Sequence, residues 1–187
     1  MWGDHNPEYK SVLDDNDIDD EYESVVFDDN DLEDEYARFL REGRDIDLLE
    51  DFFQRNWNDV EFGFHRAKAN DLFEAIERTV VDVVDINDII RRSEAGEECD
   101  LSQFFRPLDN TEYRNAYRLS KGYQGGSWVR LYAVRLQPNL FVISGWSIKL
   151  TKNNNDRDHT KHEIVKIGMV NAFLEENCLE YSEDFEK

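Results

Sequence analysis

The chain has 187 residues, 43 acidic against 22 basic side chains, a net charge of −21 and 40% apolar content that includes twelve Phe, eight Tyr and four Trp. That is enough apolar material for a buried core, which excludes a chain disordered throughout. No run of eighteen apolar residues occurs, so no membrane span is expected, and the opening MWGDHNPEYK has neither the basic start nor the apolar run of a secretory signal.

The charge is unevenly spread. Residues 1–100 carry 32 acids and 10 bases, residues 101–174 carry 5 acids and 11 bases, and residues 175–187 carry 6 acids and one Lys. A basic segment therefore sits between two acidic ones. Cys99 and Cys178 stand far apart, the pattern of two free thiols in a reducing cytoplasm rather than a disulfide framework.

The acidic half opens with a near repeat, DDNDIDDEY from Asp14 to Tyr22 and DDNDLEDEY from Asp28 to Tyr36. An EF-hand loop needs Gly at its sixth position and a bidentate Glu at its twelfth. Counting from Asp15 these positions hold Asp20 and Val26, and counting from Asp29 they hold Asp34 and Leu40, so neither copy makes that calcium site. The first copy reads as an acidic extension, residues 1–22. The second continues into structure: ESVVF before it suits a short strand, and Leu32, Tyr36, Phe39 and Leu40 share one face of a helix capped by Asn30 or Asp31 and ended by Gly43.

DIDLLEDFFQRN places Leu48, Leu49, Phe52 and Phe53 on one helical face, and WNDVEFGFHRA reads as irregular, broken at Gly63. From Asn70, a plausible cap, Leu72, Phe73, Ile76, Val80, Val83 and Val84 predict a long helix stopped near Gly96. Beyond Asp100 the texture turns to strands: EYRNAYRLSK, then WVRLYAVRL and LFVISGWSIKL joined by a short QPN turn. The polar loop TKNNNDRD leads to a last helix with Ile164, Ile167, Val170, Asn171 and Leu174 inward, followed by an acidic tail, 177–187. The expected fold is α+β, with N-terminal helices packed on a small antiparallel meander of three strands and a C-terminal helix after it, in one domain over 23–176.

The stretch VRLYAVRLQPNLFVISGWSIKLTKNNNDRDHTKHEI resembles the RelE/HigB superfamily of toxins, in its phage-derived, HigB-like branch. Matching residues are Arg130-Leu131-Tyr132, then Lys149-Leu150-Thr151 where the family has KKT, then Glu163-Ile164 opening the last helix. FFRPLDN, Phe104–Asn110, resembles the turn leading those toxins into their meander. The motif-level match spans about residues 101–176, and the rest agrees by element order. This chain departs from the pattern at Leu150, in a longer loop before the helix and in a larger, more acidic N-terminal half. The resemblance implies a RelE-like fold, a cytoplasmic endoribonuclease acting on mRNA at the ribosome without metal or other cofactor, and a cognate antitoxin as partner.

Such chemistry needs a base at the 2′-hydroxyl, cations on the phosphorane and an acid for the leaving group. Lys149 maps onto the family motif; Arg157, His159 and His162 are candidates by residue chemistry, and Arg130, Arg135 and Lys152 are candidate RNA contacts. Arg130 and Arg135 differ by an odd number and so point to opposite sheet faces. His159 and His162 could flank a metal, but HTKHE is not the zinc-protease motif and no third ligand has suitable spacing beyond Glu163. Trp128, Tyr132 and Trp146 share even positions and either stack bases or, as such aromatics more often do, fill the core. Two functions stay open. One is a toxin-like ribonuclease or RNA-binding protein whose acidic N-terminus restrains its basic face. The other is a non-enzymatic interaction module, or a nucleic-acid mimic, that uses the acidic half.

Overall fold

The computed structural model describes residues 34–63, 68–96, 100–108, 118–123 and 125–185, all within the unit Glu33–Lys187. The extension 1–22, the strand expected at ESVVF and Cys99 lie outside the described residues. Cys178 is an exposed free thiol.

Three helices come first. α1, Glu35–Glu42, is capped by Asp34, whose carboxylate accepts from the Ala37 N–H, and not by Asn30 or Asp31 as expected; Gly43 ends it, donating to Phe39 O. α2 spans Ile46–Phe62 from an Asp45 cap. It runs through the stretch expected to be irregular because Val60 continues the buried face of Leu49 and Phe53. Asn56, at φ −111° and ψ 17°, kinks it there, with its side-chain amide donating to Phe52 O at 2.8 Å. α3, Leu72–Glu94, starts at Asp71, one residue later than expected: Asp71 accepts from the Glu74 N–H, and Glu74 reaches back to the Asn70 N–H. Its buried face is Ala75, Ile76, Thr79, Val83, Ile86 and Ile90, so Phe73 and Val84, expected inward, are exposed. Gly96, in the left-handed region at φ 72°, follows its end.

A single turn, α4 (Leu101–Phe104), feeds four antiparallel strands in spatial order β1 (Phe105–Pro107), β2 (Leu119–Gly122), β3 (Val129–Gln137) and β4 (Leu140–Ile148). The sheet therefore has one strand more than expected, since the turn FFRPLDN contains β1, paired with Ser120–Gly122. α5, Asp158–Glu176, closes the order, and Leu179 beyond it packs on the core. One sheet face, with Leu131, Ala133, Trp146 and Ile148, packs on α1–α3. The other, with Tyr132 and Val134, packs on Ile167 and Leu174 of α5. The fold is α+β, with helices on both faces of the sheet. Each fully buried Phe or Leu at these interfaces contributes about 1.5–3 kcal/mol. No helix among the described residues is long and apolar enough to cross a membrane.

A bulge decides which side chains meet. Tyr132 pairs with Gly145 and Ala133 with Ile143, leaving Ser144 as the extra residue on β4. Inward parity on β4 therefore switches from Phe141 and Ile143 to Trp146 and Ile148. Tyr132 and Trp146, both even-numbered, consequently bury on opposite faces, and Trp128, Tyr132 and Trp146 are all core residues.

α1 lies along the edge strand β4, and ion pairs from Arg38 to Glu163 and from Lys166 to Glu35 link it to the first half of α5. Here Glu35, Glu42 and Glu163 meet three cations, Arg38, Lys166 and Arg41, the last 3.3 Å from Glu42 Oε1. Arg38 donates to Glu35 Oε2 at 2.7 and 3.0 Å and to Glu42 Oε2 at 3.1 Å, and reaches Glu163 Oε1 at 3.4 Å; Lys166 bonds to Glu35. Glu163 is 6% exposed and its Oε2 has no hydrogen-bond partner. Burial pushes its carboxyl pKa up, against the pull of Lys166 and Arg38. An acid whose pKa is raised on folding weakens the fold as pH climbs from the unfolded value through the folded one. Glu163→Gln is expected to raise stability at pH 7 by about 1 kcal/mol, or about 2–4 °C in Tm, with the gain vanishing near pH 4. Thermal melts of both forms across that range check it.

Candidate nucleic-acid interface

One end of the sheet gathers cations from distant parts of the chain. Lys149 follows β4, its backbone N–H donating to Trp128 O at 2.8 Å, so it stands beside the start of β3. Arg130 pairs with Ser147, and Lys121 of β2 with Tyr132. Directly paired residues share a face and alternate residues repeat it, which puts Lys121, Arg130 and Lys149 on the α5 side of the sheet. Lys68, just before α3, donates to Gly126 O, and Arg78 of α3 donates to Lys68 O at 3.1 Å while lying 5.5 Å from the Trp128 ring centroid.

Arg130 is the organiser. The residue is 8% exposed, and its guanidinium donates to Ser127 O and Val129 O at 2.8 Å and lies 4.1 Å from the Tyr123 ring centroid, with Arg106 at 5.2 Å from the same ring. The connecting loop carries Gly126 at φ 84°, a left-handed conformation that strains any side chain; a Cβ there would also stand 3.5 Å from Lys68 Nζ. Two carboxylates, Asp82 and Asp156, sit among the six cations. Asp82 Oδ2 and Arg78 Nε are both buried without a hydrogen-bond partner.

The electrostatics follow from crowding. Burial, then the neighbouring charges of Lys121 and Arg130, bring the Lys149 pKa down to about 8, against the pull of Asp156. Lys68 is held below its ordinary value by burial, Arg78 and Arg130. Burial raises the Asp82 pKa, which its Ser127 hydrogen bond and Arg78 oppose. Arg130 is lowered by burial, yet a guanidinium stays charged at any physiological pH. A positive cluster persists in a chain of net charge −21. It can hold phosphate oxygens, and a lysine near pKa 8 can exchange a proton near neutral pH. No family model, no curated protein and no solved structure matches the chain.

Of the residues singled out in the sequence, the fold brings Lys149 and Arg130 together and places the others elsewhere. Arg157 donates to both carboxylate oxygens of Asp59, at 2.7 and 2.6 Å, tying the start of α5 to α2. His159 Nε2 lies 2.9 Å from Ile148 O, and its ring meets Phe52 edge-on at 5.1 Å. His162 is exposed on α5, and Lys152 is exposed in the loop after β4. Arg135 sits near the far end of β3, where its charge lowers the Asp100 pKa, after that carboxylate's own Ser102 and Gln103 hydrogen bonds. Among the described residues no group of three or more His, Cys, Asp or Glu is placed to hold a metal ion.

Lys68, Arg78, Lys121 and Asp82 were not legible as site residues. Lys68 alone had a signal, in HRAKAN, a small basic island in the acidic half; nothing around Arg78, Asp82 or Lys121 marks them. Arg157 gives a contrast: Arg157→Ala is expected to lower Tm modestly while leaving RNA affinity unchanged, measured by thermal melts and RNA titration of the same preparation.

Proposed function

We propose that the protein is an RNA-binding, toxin-like endoribonuclease of the RelE/HigB type, with the cluster around Lys149 as its reaction centre. The observation that carries this reading is a lysine with a pKa near 8 set beside Lys121 and Arg130. The resemblance of residues 129–164 and the order of helices, antiparallel meander and C-terminal helix support it. In this scheme Lys149 accepts the 2′-hydroxyl proton, Arg130, Arg78 and Lys68 offset charge developing on the phosphorane, and Lys121 returns a proton to the leaving oxygen. Arg157 and His159 serve as structural ties. RNA, on or off the ribosome, is the substrate, and a cognate antitoxin is the implied protein partner. Residues 1–22, with a net charge of −7 from eight acids and one Lys, restrain the basic face.

A second reading draws on Arg130 and Arg157, whose guanidinium groups are both occupied within the protein. It makes the chain a non-enzymatic interaction module that presents its acidic half to a basic partner. Anisotropy titration of a labelled single-stranded RNA separates the two. The ribonuclease reading expects binding that weakens at least tenfold between about 50 and 200 mM salt and tightens when residues 1–22 are removed. Absence of RNA binding by both forms would leave the interaction module.

A further inference from the structure

α5 is apolar on two sides. Ile167 and Leu174 are buried against the sheet, whereas Val165, Met169 and Phe173, spaced four residues apart on the opposite side, stand 48%, 56% and 40% exposed. A helix with one buried face normally sets polar residues opposite it, so the second stripe lacks a cover. Gly168 and Ala172 are exposed beside it, and a Cβ on Gly168 would meet nothing within 4 Å. Val165, Met169 and Ala172 follow the four-three spacing of the seam between paired helices. The small residues let a second backbone come close.

The ends of the stripe say what covers it. Lys161 and His162 lie at its start and Glu175 and Glu176 at its end, all exposed. A parallel copy would set like charges together. An antiparallel copy, related by a two-fold axis near Met169, sets Lys161 and His162 against the partner's Glu176, and the symmetry makes that contact twice. The stripe is thus complementary to itself, while a uniformly acidic or basic partner would meet repulsion at one end. The charge of −21 on each copy opposes association. At about 0.15 M salt, however, the Debye length is about 8 Å, and charges far from the seam are screened. A helix of 19 residues is about 28 Å long. One such pair covers less than the about 800 Å² per partner of a standard interface, so the contact is weak.

We propose that the outer face of α5 is a self-association surface, on which two copies of the chain pair antiparallel along Val165, Met169 and Phe173. The inference does not rest on the RNA reading.

Sedimentation equilibrium of the full-length protein, from about 5 μM to 1 mM in about 0.15 M salt, tests it. Expected is a monomer–dimer equilibrium with a Kd between about 10 and 500 μM. Met169→Glu places a charge at the centre of the seam on a side chain already exposed. It should weaken the dimer at least about tenfold with an unchanged thermal melt. The end charges give a test that net charge cannot imitate. Lys161→Glu and Glu176→Lys should each weaken the dimer at least about threefold, although the second makes each copy less negative. Combined, they keep the wild-type net charge and reverse both pairs, so the dimer should return to within about twofold of wild type. A monomer throughout that range would overturn the proposal. So would wild-type association of a folded Met169→Glu protein, tighter association of Glu176→Lys, or a double variant weaker than either single one.

Discussion

Lys149→Ala is expected to lower RNA cleavage at pH 7 by about a hundredfold or more, the usual worth of a positioned general base. In the wild type, the cleavage rate should rise about tenfold per pH unit below the Lys149 pKa and level off above about 8. The sign follows from the role: a base must be unprotonated, and at pH 7 about a tenth of a group with that pKa is. Lys149→Arg separates charge from proton transfer. It keeps a cation against phosphate but holds its proton, so RNA affinity should survive while cleavage is lost. Single-turnover rates across pH 6 to 9 check both variants. A profile that falls with pH would make Lys149 a phosphate anchor instead.

The second large effect is structural. Trp128 is fully buried, its Nε1 donates to Thr79 Oγ1 at 2.8 Å, and its ring lies 5.5 Å from Phe53. It joins α2 and α3 to the start of β3, and its carbonyl receives the Lys149 N–H. Trp128→Ala is expected to cost about 3–5 kcal/mol, through lost burial and a cavity. That is a large share of the total stability of such a domain. Trp128→Phe fills most of the volume and loses the indole hydrogen bond, so it should cost about 1–2 kcal/mol. Urea unfolding of both gives the comparison; near-equal losses would show that packing around the ring is not what holds this junction.

Residues with strong periodicity were readable in advance. Tyr36, Phe39 and Leu40 of α1, Leu49, Phe52 and Phe53 of α2, the β3–β4 hairpin and the Ile167–Leu174 face of α5 follow from spacing alone, whereas Leu48, expected inward beside Leu49, is exposed at the start of α2. Cap positions shifted because Asp34, in place of the expected Asn30 or Asp31, and Asp71, in place of Asn70, aim a carboxylate at the first free amides. β1 escaped notice since three residues ending in Pro107 carry no alternation to read. Ser144 is a harder case: its bulge reverses face parity, which no count along β4 reveals. At the site, Arg130 lies on a long strand and Lys149 directly follows one, so both could be placed. Lys68 and Arg78 join them across loops, with 58 residues separating Lys68 from its Gly126 partner. Arg157 shows the reverse: a cation in a polar loop looks available until a partner 98 residues away is seen.

Growth and mRNA integrity after induction give the most direct test of the proposed reaction centre, using the full-length protein, residues 23–187, and residues 23–187 carrying Lys149→Ala. Expected are arrest and mRNA cleavage from residues 23–187, weaker effects from the full-length chain, and neither from the Lys149→Ala form. Normal growth and intact mRNA from all three, each shown to be folded and expressed, would contradict it.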